Sequence, residues 1–478
     1  MTQASHRAPF VTFILLSFAR PRNLQRIVDT LLKADSCRRV IVSNNQPKID
    51  IRDFLKSADD RVEIIQQDVA WGPVNRYHIA RNCPGDFFVS IDDDVFLTPA
   101  QIDRLVGELV TDPSRPHGVW GQLLRVDPDK INLFSGVHRI NREVDVLNCV
   151  YAFTKAQVRR CFELLDLLRL KDLREIGPGD DIFISMSGDQ APFCHDVGPI
   201  DLCPSHDQEH VARFCSDNFD ARRLRLWRRL QTAASVKPDA SVLSKMLLGM
   251  VEGSANDEAS ATFRRHLINL NSIVDTTSGS TGKTFQAEGN LFYHHETTYS
   301  LDALPDKTRL HKQSNFIHAL RGAATLMEIG FNAGHAALLA LTMFPRLIYL
   351  GVDNCRHTYT TPCAKYLGDA FGHRFRLMKG NSRDILPLLA SQNPDPKPDL
   401  IHIDGGHDWE TFRQDMIDAL RLSDDYTHIL IDDTVLPEIQ TVFGDFLRSG
   451  QIRIPPPPQS WAGTEQALVA PQPYGLSP

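Results

Sequence analysis

Residues 399–434 read DLIHIDGGHDWETFRQDMIDALRLSDDYTHILIDDT. Two short apolar runs, Leu400–Ile403 and His428–Ile431, flank a helix-length segment, and each ends in acid: Asp404 after the first, Asp432 and Asp433 after the second. That pattern predicts a strand, a crossover helix and a second, parallel strand. Few folds accept such a unit, because parallel strands need a sheet covered on both faces. Ligands of open α/β sheets sit at the carboxyl ends of the strands, where these three acids fall. Three convergent carboxylates suit a hard divalent cation such as Mg²⁺ or Mn²⁺. Acids after strands also serve as loop residues and helix caps. Three sharing one edge, however, repel one another unless a cation joins them.

A chain of 478 residues exceeds one ordinary domain, and the strand–helix alternation recurs near its start. β-rich runs at 11–17, 39–43, 62–66 and 86–91 alternate with helical patterns, predicting a first α/β domain with a mostly parallel sheet. The fourth run ends in Asp92, Asp93 and Asp94. Asp92 and Asp94, two apart at a strand end, are placed to hold a metal that bridges a diphosphate.

The pieces SFARP (17–21), VSNN (42–45), NRYH (75–78), SIDDDVFLT (90–98) and GDDI (179–182) together resemble the GT-A glycosyltransferases, within them the exostosin-like group, over about the first 200 residues. That resemblance implies a nucleotide-sugar site: Asp92 and Asp94 serving the nucleotide sugar and its Mn²⁺, Asn45 and Asn75 lining the cleft, Asp181 beside the reacting sugar. A carboxylate there can orient or deprotonate an acceptor hydroxyl. Asp181 reads equally well as part of a turn and helix cap before the apolar IFISM.

Further on, a strand at 325–329 runs into Glu328-Ile329-Gly330-Phe331-Asn332-Ala333-Gly334-His335 and a helical AALLALTM. Glycines at 330 and 334 let the backbone turn tightly against a ligand at a helix start. A strand at 347–352 ends in Asp353, placed to accept hydrogen bonds from ribose hydroxyls, and one at 375–379 ends in Gly380-Asn381-Ser382, placed to border an adenine. With IDG-x-H and IDDT downstream, residues 290–450 resemble class I S-adenosylmethionine-dependent methyltransferases of family 24, and are similar to macrocin-type sugar O-methyltransferases and catechol O-methyltransferase. The resemblance implies that Glu328, Gly330, Gly334, Asp353 and Ser382 bind the methyl donor and that Asp404, Asp432 and Asp433 hold a divalent ion. A hydroxyl bound to such an ion loses its proton more readily, and Asp404 or His407 is the expected base.

The sequence thus predicts an α/β chain in four parts: a glycosyltransferase-like domain (8–215), a helical region and linker (216–289), a methyltransferase domain (290–450) and a Pro-rich tail (451–478) without chemistry. The basic run ARRLRLWRRL (221–230) is expected to be a solvated helix face. Cys203-x2-His206-x3-His210 with Cys194 has zinc-like spacing, yet His206 and His210 are expected simply to share one helix face. A net charge of −7 argues against nucleic acid as partner. The expected partners are a nucleotide sugar and a glycan or glycolipid acceptor, with at most peripheral membrane contact. Nine cysteines without a framework fit a reducing, cytoplasmic compartment. Residues 8–19 are read as a buried first strand rather than a signal peptide.

Overall fold

The computed structural model describes residues 11–127, 130–170, 172–206, 219–235, 240–253, 258–277, 282–392, 397–456 and 465–472. The chain divides into two compact units, Met1–Gln231 and Thr232–Pro478. Both are α/β, as the alternation requires.

In the first unit, strands Val11–Ser17, Cys37–Asn44, Val62–Gln66 and Phe87–Asp92 run parallel, with Val11–Ser17 between Cys37–Asn44 and Phe87–Asp92. All seven residues of Val11–Ser17 are buried, so its apolar run is that of a central strand. Strand Val146–Thr154 continues the sheet antiparallel to Phe87–Asp92 and is itself flanked by His117–Asp127. The sheet therefore changes from parallel to antiparallel beside the strand that carries Asp92.

In the second unit, five parallel strands lie in the order Phe375–Lys379, Ile348–Asp353, Thr325–Ile329, Leu400–Ile403, His428–Ile431. The switch point of the winding falls between Thr325–Ile329 and Leu400–Ile403, where a ligand crevice is expected. Side chains alternate between the two faces. Leu326, Tyr349, Leu400 and Leu430 join one apolar core, and Met327, Val352, Ile401 and Ile429 join the other.

Two segments differ from expectation. The stretch expected as a helical region and linker is helical, but its helix Glu258–Thr277 sends Phe263, Leu267, Leu270 and Val274 into the core of the second unit. Its i, i+4, i+7, i+11 spacing makes it part of a domain rather than a tether. Beyond residue 450, strand Ala467–Pro471 pairs antiparallel with His428–Ile431 and in turn with the edge strand Ile452–Arg453. The domain thus runs past residue 456, because the alternating ALVAP at 467–471 still pairs as a strand.

Among the described residues, no helix is long and apolar enough to cross a membrane.

Candidate functional site

Register builds the second unit's site. Ile329 lies opposite Ile403, and Ile403 opposite Ile431, so the residues that follow them, Gly330, Asp404 and Asp432, emerge side by side at one edge. Here a cavity of about 640 Å³ opens, lined by Gly330, Asp353, Ser382, Asp404, His407 and Asp433 among others. Gly330 has φ +94°, and a Cβ there would lie 2.0 Å from the Asp404 carbonyl oxygen, so only glycine permits the two strand ends to approach. Gly334 has φ +82° and starts the helix His335–Met343. A Cβ on it would strike the Phe331 ring at 2.5 Å, a packing role set back from the cavity lining.

At one end of the cavity Asp353 accepts from the backbone N–H of Asn332 (2.9 Å) and of Cys355 (2.6 Å), which fixes its carboxylate at the strand end. Ser382 begins the helix Ser382–Ser391, whose cap is Asn381.

At the other end stand the acids. Lys312, from helix Leu310–Leu320, places its ammonium 2.6 Å from Asp432 Oδ1, 2.9 Å from Asp433 Oδ1 and 3.3 Å from Glu465 Oε2. Here is a cation that sequence reasoning required but did not locate. Gln466 Nε2 donates to Asp432 Oδ2 (3.2 Å), so the segment expected to be chemically silent contributes two groups to the acid edge. His407 Nε2 lies 3.2 Å from Asp433 Oδ2. Burial, with Asp432 and Asp433 beside it, holds the Asp404 carboxyl well above the usual carboxylate range. Asp404, His407 and Asp433 offer ligand atoms within 4.8 Å of one another, as do His402, Asp404 and Asp432.

Glu328 does not line the cavity. It sits opposite His402 in the register, accepts from His402 Nδ1 at 2.8 Å, and accepts a second hydrogen bond from the Tyr349 hydroxyl. His402 Nε2 is 3.9 Å from Asp432 Oδ2. Burial alone would lower the imidazole, but the Asp432 and Glu328 carboxylates outweigh it and hold His402 at about 10. His402 is therefore an imidazolium under the acid edge. Its signal in the sequence was a lone polar residue inside the run LIHI.

In the first unit, Arg76 of NRYH is the hub. Its guanidinium reaches Asp92 Oδ1 (2.9 Å), Asp180 Oδ2 (3.5 Å), the Ser90 hydroxyl (2.8 Å) and the Tyr151 hydroxyl (2.8 Å). Asp93 turns inward, accepting from the Phe18 and Arg20 backbone amides. Asp94 meets Arg20 Nη1 at 3.2 Å and His206 Nδ1 at 3.1 Å. His206 is thus engaged at the acid turn; His210 lies outside the described residues. Asn75 donates to the Ser43 hydroxyl (2.9 Å) and Asn45 to the Gly72 carbonyl (2.9 Å), and both are buried.

Asp181 is buried and accepts from Arg223 Nη1 at 2.6 Å. Burial outweighs that arginine and holds the carboxyl above its ordinary range. Arg223 also donates to Gln122 Oε1 at 2.7 Å. The basic run is thus only partly a solvated face, because Arg223 and Arg229 are buried along with Leu226 and Leu230.

Residues 12–136 match the family model of glycosyl transferase family 2, and residues 327–434 match that of a methyltransferase domain, family 24. Both regions belong to enzyme families. The first match names family 2, and the finer likeness to the exostosin-like group stays one of sequence motifs. No curated protein matches the chain. Among solved structures it is similar to apo CalS11, a TDP-rhamnose 3'-O-methyltransferase of calicheamicin biosynthesis, with 14% identity over 36% of this chain and 81% of that one, at a TM-score of 0.29. It is also similar to a CMP:2-keto-3-deoxy-manno-octonic acid synthetase complexed with CTP, with 10% identity over 32% of this chain and 78% of that one, at a TM-score of 0.25.

Proposed function

We propose that this chain is a bifunctional enzyme of glycan biosynthesis. Its first unit transfers a sugar from a nucleotide sugar, and its second methylates a sugar hydroxyl with S-adenosylmethionine. The observation that carries the second half is one cavity with Asp353 and Ser382 at one end and Asp404, His407 and Asp433 at the other. Asp353 takes the ribose hydroxyls of the methyl donor, and the loop at Gly330 lets its backbone come close. Glu328 acts on this site only through His402, and Gly334 by setting the helix start.

A divalent cation fits between Asp404 and Asp433, with His407 beside them and left free to act as base; the side-chain polar atoms of the three converge within 4.8 Å. Asp432, engaged by Lys312 and Gln466, supports that group from behind. When bound, such an ion supplies a lowered pKa to the acceptor hydroxyl. His407, about half exposed, is the group able to take the proton from the solvent side. In the first unit Asp92 and Asp94 serve the nucleotide sugar and its Mn²⁺, Asn45 and Asn75 shape the cleft floor, and Asp181 stands by the reacting sugar. We place the enzyme in the cytoplasm, on the strength of its unframed cysteines.

One observation favours a methyltransferase whose first unit only holds a glycan: Asp92, Asp94 and Asp181 each already meet an arginine. Mass spectrometry of glycans from cells with and without the protein tests both readings. Bifunctionality requires that a sugar and a methyl group disappear together. Restoring the cells with an Asp92→Ala, Asp94→Ala double variant then separates the readings, since the methyl group returns only if the first unit is not catalytic, whereas under bifunctionality the sugar stays absent.

A further inference from the structure

Two arginines, Arg309 and Arg356, line the second unit's cavity. Their places differ. Arg356 is exposed and lies three residues after Asp353, at the ribose end. Arg309 is half-buried and stands one helical turn before Lys312, whose ammonium touches Asp432 and Asp433 at the other end.

Among the described residues the Arg309 guanidinium has no hydrogen-bond or ion-pair partner, and its Nε is cut off from solvent without an acceptor. A guanidinium carries five donors, and a buried donor left without an acceptor is unfavourable. The acids nearest in the chain do not account for it. Asp306 is taken by Thr308 and the Tyr299 hydroxyl, and Glu465 by Lys312. Arg309 is also the N-cap of helix Leu310–Leu320, an end that no side chain caps. The positive end of that helix adds to the charge of the arginine. The cavity therefore sets an unpaired cation one helical turn from the lysine that serves its acids.

We propose that Arg309 is an anion-binding subsite for the acceptor. The molecule to be methylated carries a carboxylate or a phosphate, which Arg309 holds while the reacting hydroxyl lies at Asp404 and Asp433. This subsite presupposes the methyl-transfer reading of the cavity, and it narrows the acceptor from sugars in general to acidic or phosphorylated ones. Carboxylate and phosphate share the geometry that a guanidinium fork grips through two parallel hydrogen bonds. A neutral sugar leaves the buried Nε unpaired, so it is rejected more strongly than a lost apolar contact would allow. Attachment at two points, the anion at Arg309 and the hydroxyl at the acids, also fixes which hydroxyl meets the methyl group.

An extract of cells carrying the Asp404→Asn variant, in which unmethylated acceptor accumulates, supplies the test. The purified full chain, given this extract and S-adenosylmethionine with a labelled methyl group, is expected to yield a labelled product that an anion exchanger retains. Loss of retention after phosphatase and phosphodiesterase treatment identifies a phosphate, and loss after carbodiimide-mediated reduction identifies a carboxylate. Arg309→Gln is expected to lower the rate at limiting extract at least about tenfold, and Arg309→Lys by less. Both variants are expected to bind S-adenosylhomocysteine as the unaltered chain does. A neutral labelled product overturns the proposal, as does an Arg309→Gln rate within about twofold of the native one. A matching loss of S-adenosylhomocysteine affinity overturns it too, because Arg309 would then serve the donor's own carboxylate. If the unaltered chain neither binds S-adenosylhomocysteine nor labels any product, the methyl-transfer reading itself falls, and this subsite with it.

Discussion

In the first unit each of five acids of the site is met by one of three arginines: Arg20 on Asp93 and Asp94, Arg76 on Asp92 and Asp180, Arg223 on Asp181. In the second, a single lysine serves Asp432, Asp433 and Glu465, and at Asp404 burial and the acidic neighbours outweigh the pull of His402 and Lys312. The two clusters looked alike in the sequence, as runs of aspartate after a strand. Their partners make them different devices. Arginine's rigid fork fixes carboxylates in place. One ammonium among three acids leaves net negative charge at the mouth of a cavity, the arrangement that draws in a further cation.

If the contrast is functional, removing an acid in the second unit should disable chemistry more than folding. Asp404→Asn is expected to lower methyl transfer about 10²–10⁴-fold, read as loss of the methyl group from glycans of cells carrying the variant, while binding of S-adenosylhomocysteine by the purified protein is unchanged. Retention of most of the methylation would take Asp404 out of the mechanism. Removing the lysine should do the opposite. Lys312→Met takes the ammonium from three acids, one of them buried, and is expected to cost about 3–5 kcal/mol, seen as a lower midpoint for thermal unfolding of the second unit. Excess Mn²⁺ should recover part of that loss if an external cation can stand where the ammonium stood. A change under about 1 kcal/mol would place this lysine with ordinary surface pairs.

Much of this was legible in the sequence, for reasons that also say where legibility ends. The runs VTFILLS, TLMEI, LIHI and HILI are short, apolar and bounded by turn residues, so their strand character is local information. The acids after LIHI and HILI follow automatically. Register, by contrast, is a pairing between distant segments, and it alone puts His402 against Glu328 and lines up Gly330 with Asp404. Lys312 lies 120 residues before Asp432 in a helix with an ordinary pattern, and nothing local marks it as the partner. The same is true of Gln466 and Arg223, which sit beyond the expected domain ends. Asp415, buried on helix Trp409–Leu422, is intermediate. The 412, 416, 419 and 422 spacing already assigns its face to the core, so an aspartate there was a visible anomaly.

Two smaller effects sharpen the comparison. Arg76→Lys keeps the charge but cannot reach Asp92, Asp180, Ser90 and Tyr151 together, so urea unfolding should show the first unit weakened by about 2–3 kcal/mol. An unchanged midpoint would mean that charge alone, and not the fork, holds that cluster. The last test concerns two buried imidazoles that stay neutral, one taken from each unit. Burial pushes His195 of the first unit down to about 4 and His335 of the second down to about 3. In both cases the unfolded chain takes up a proton near pH 6.5 and the folded chain does not. Their contribution is therefore complete above pH 6.5 and is lost as pH falls towards the folded values, at about 1.4 kcal/mol per pH unit per histidine. Between pH 7.5 and 5.5 the second unit should lose about 1.4 kcal/mol through His335. His335→Gln, which keeps a polar group near Asn271 Oδ1, 3.2 Å from Nε2 in the native chain, should remove that acid sensitivity from the second unit alone. Were the first unit's unfolding to lose its pH dependence as well, the two units would have to share one cooperative transition, and the contrast between their acid clusters would have to be tested in the whole chain rather than unit by unit.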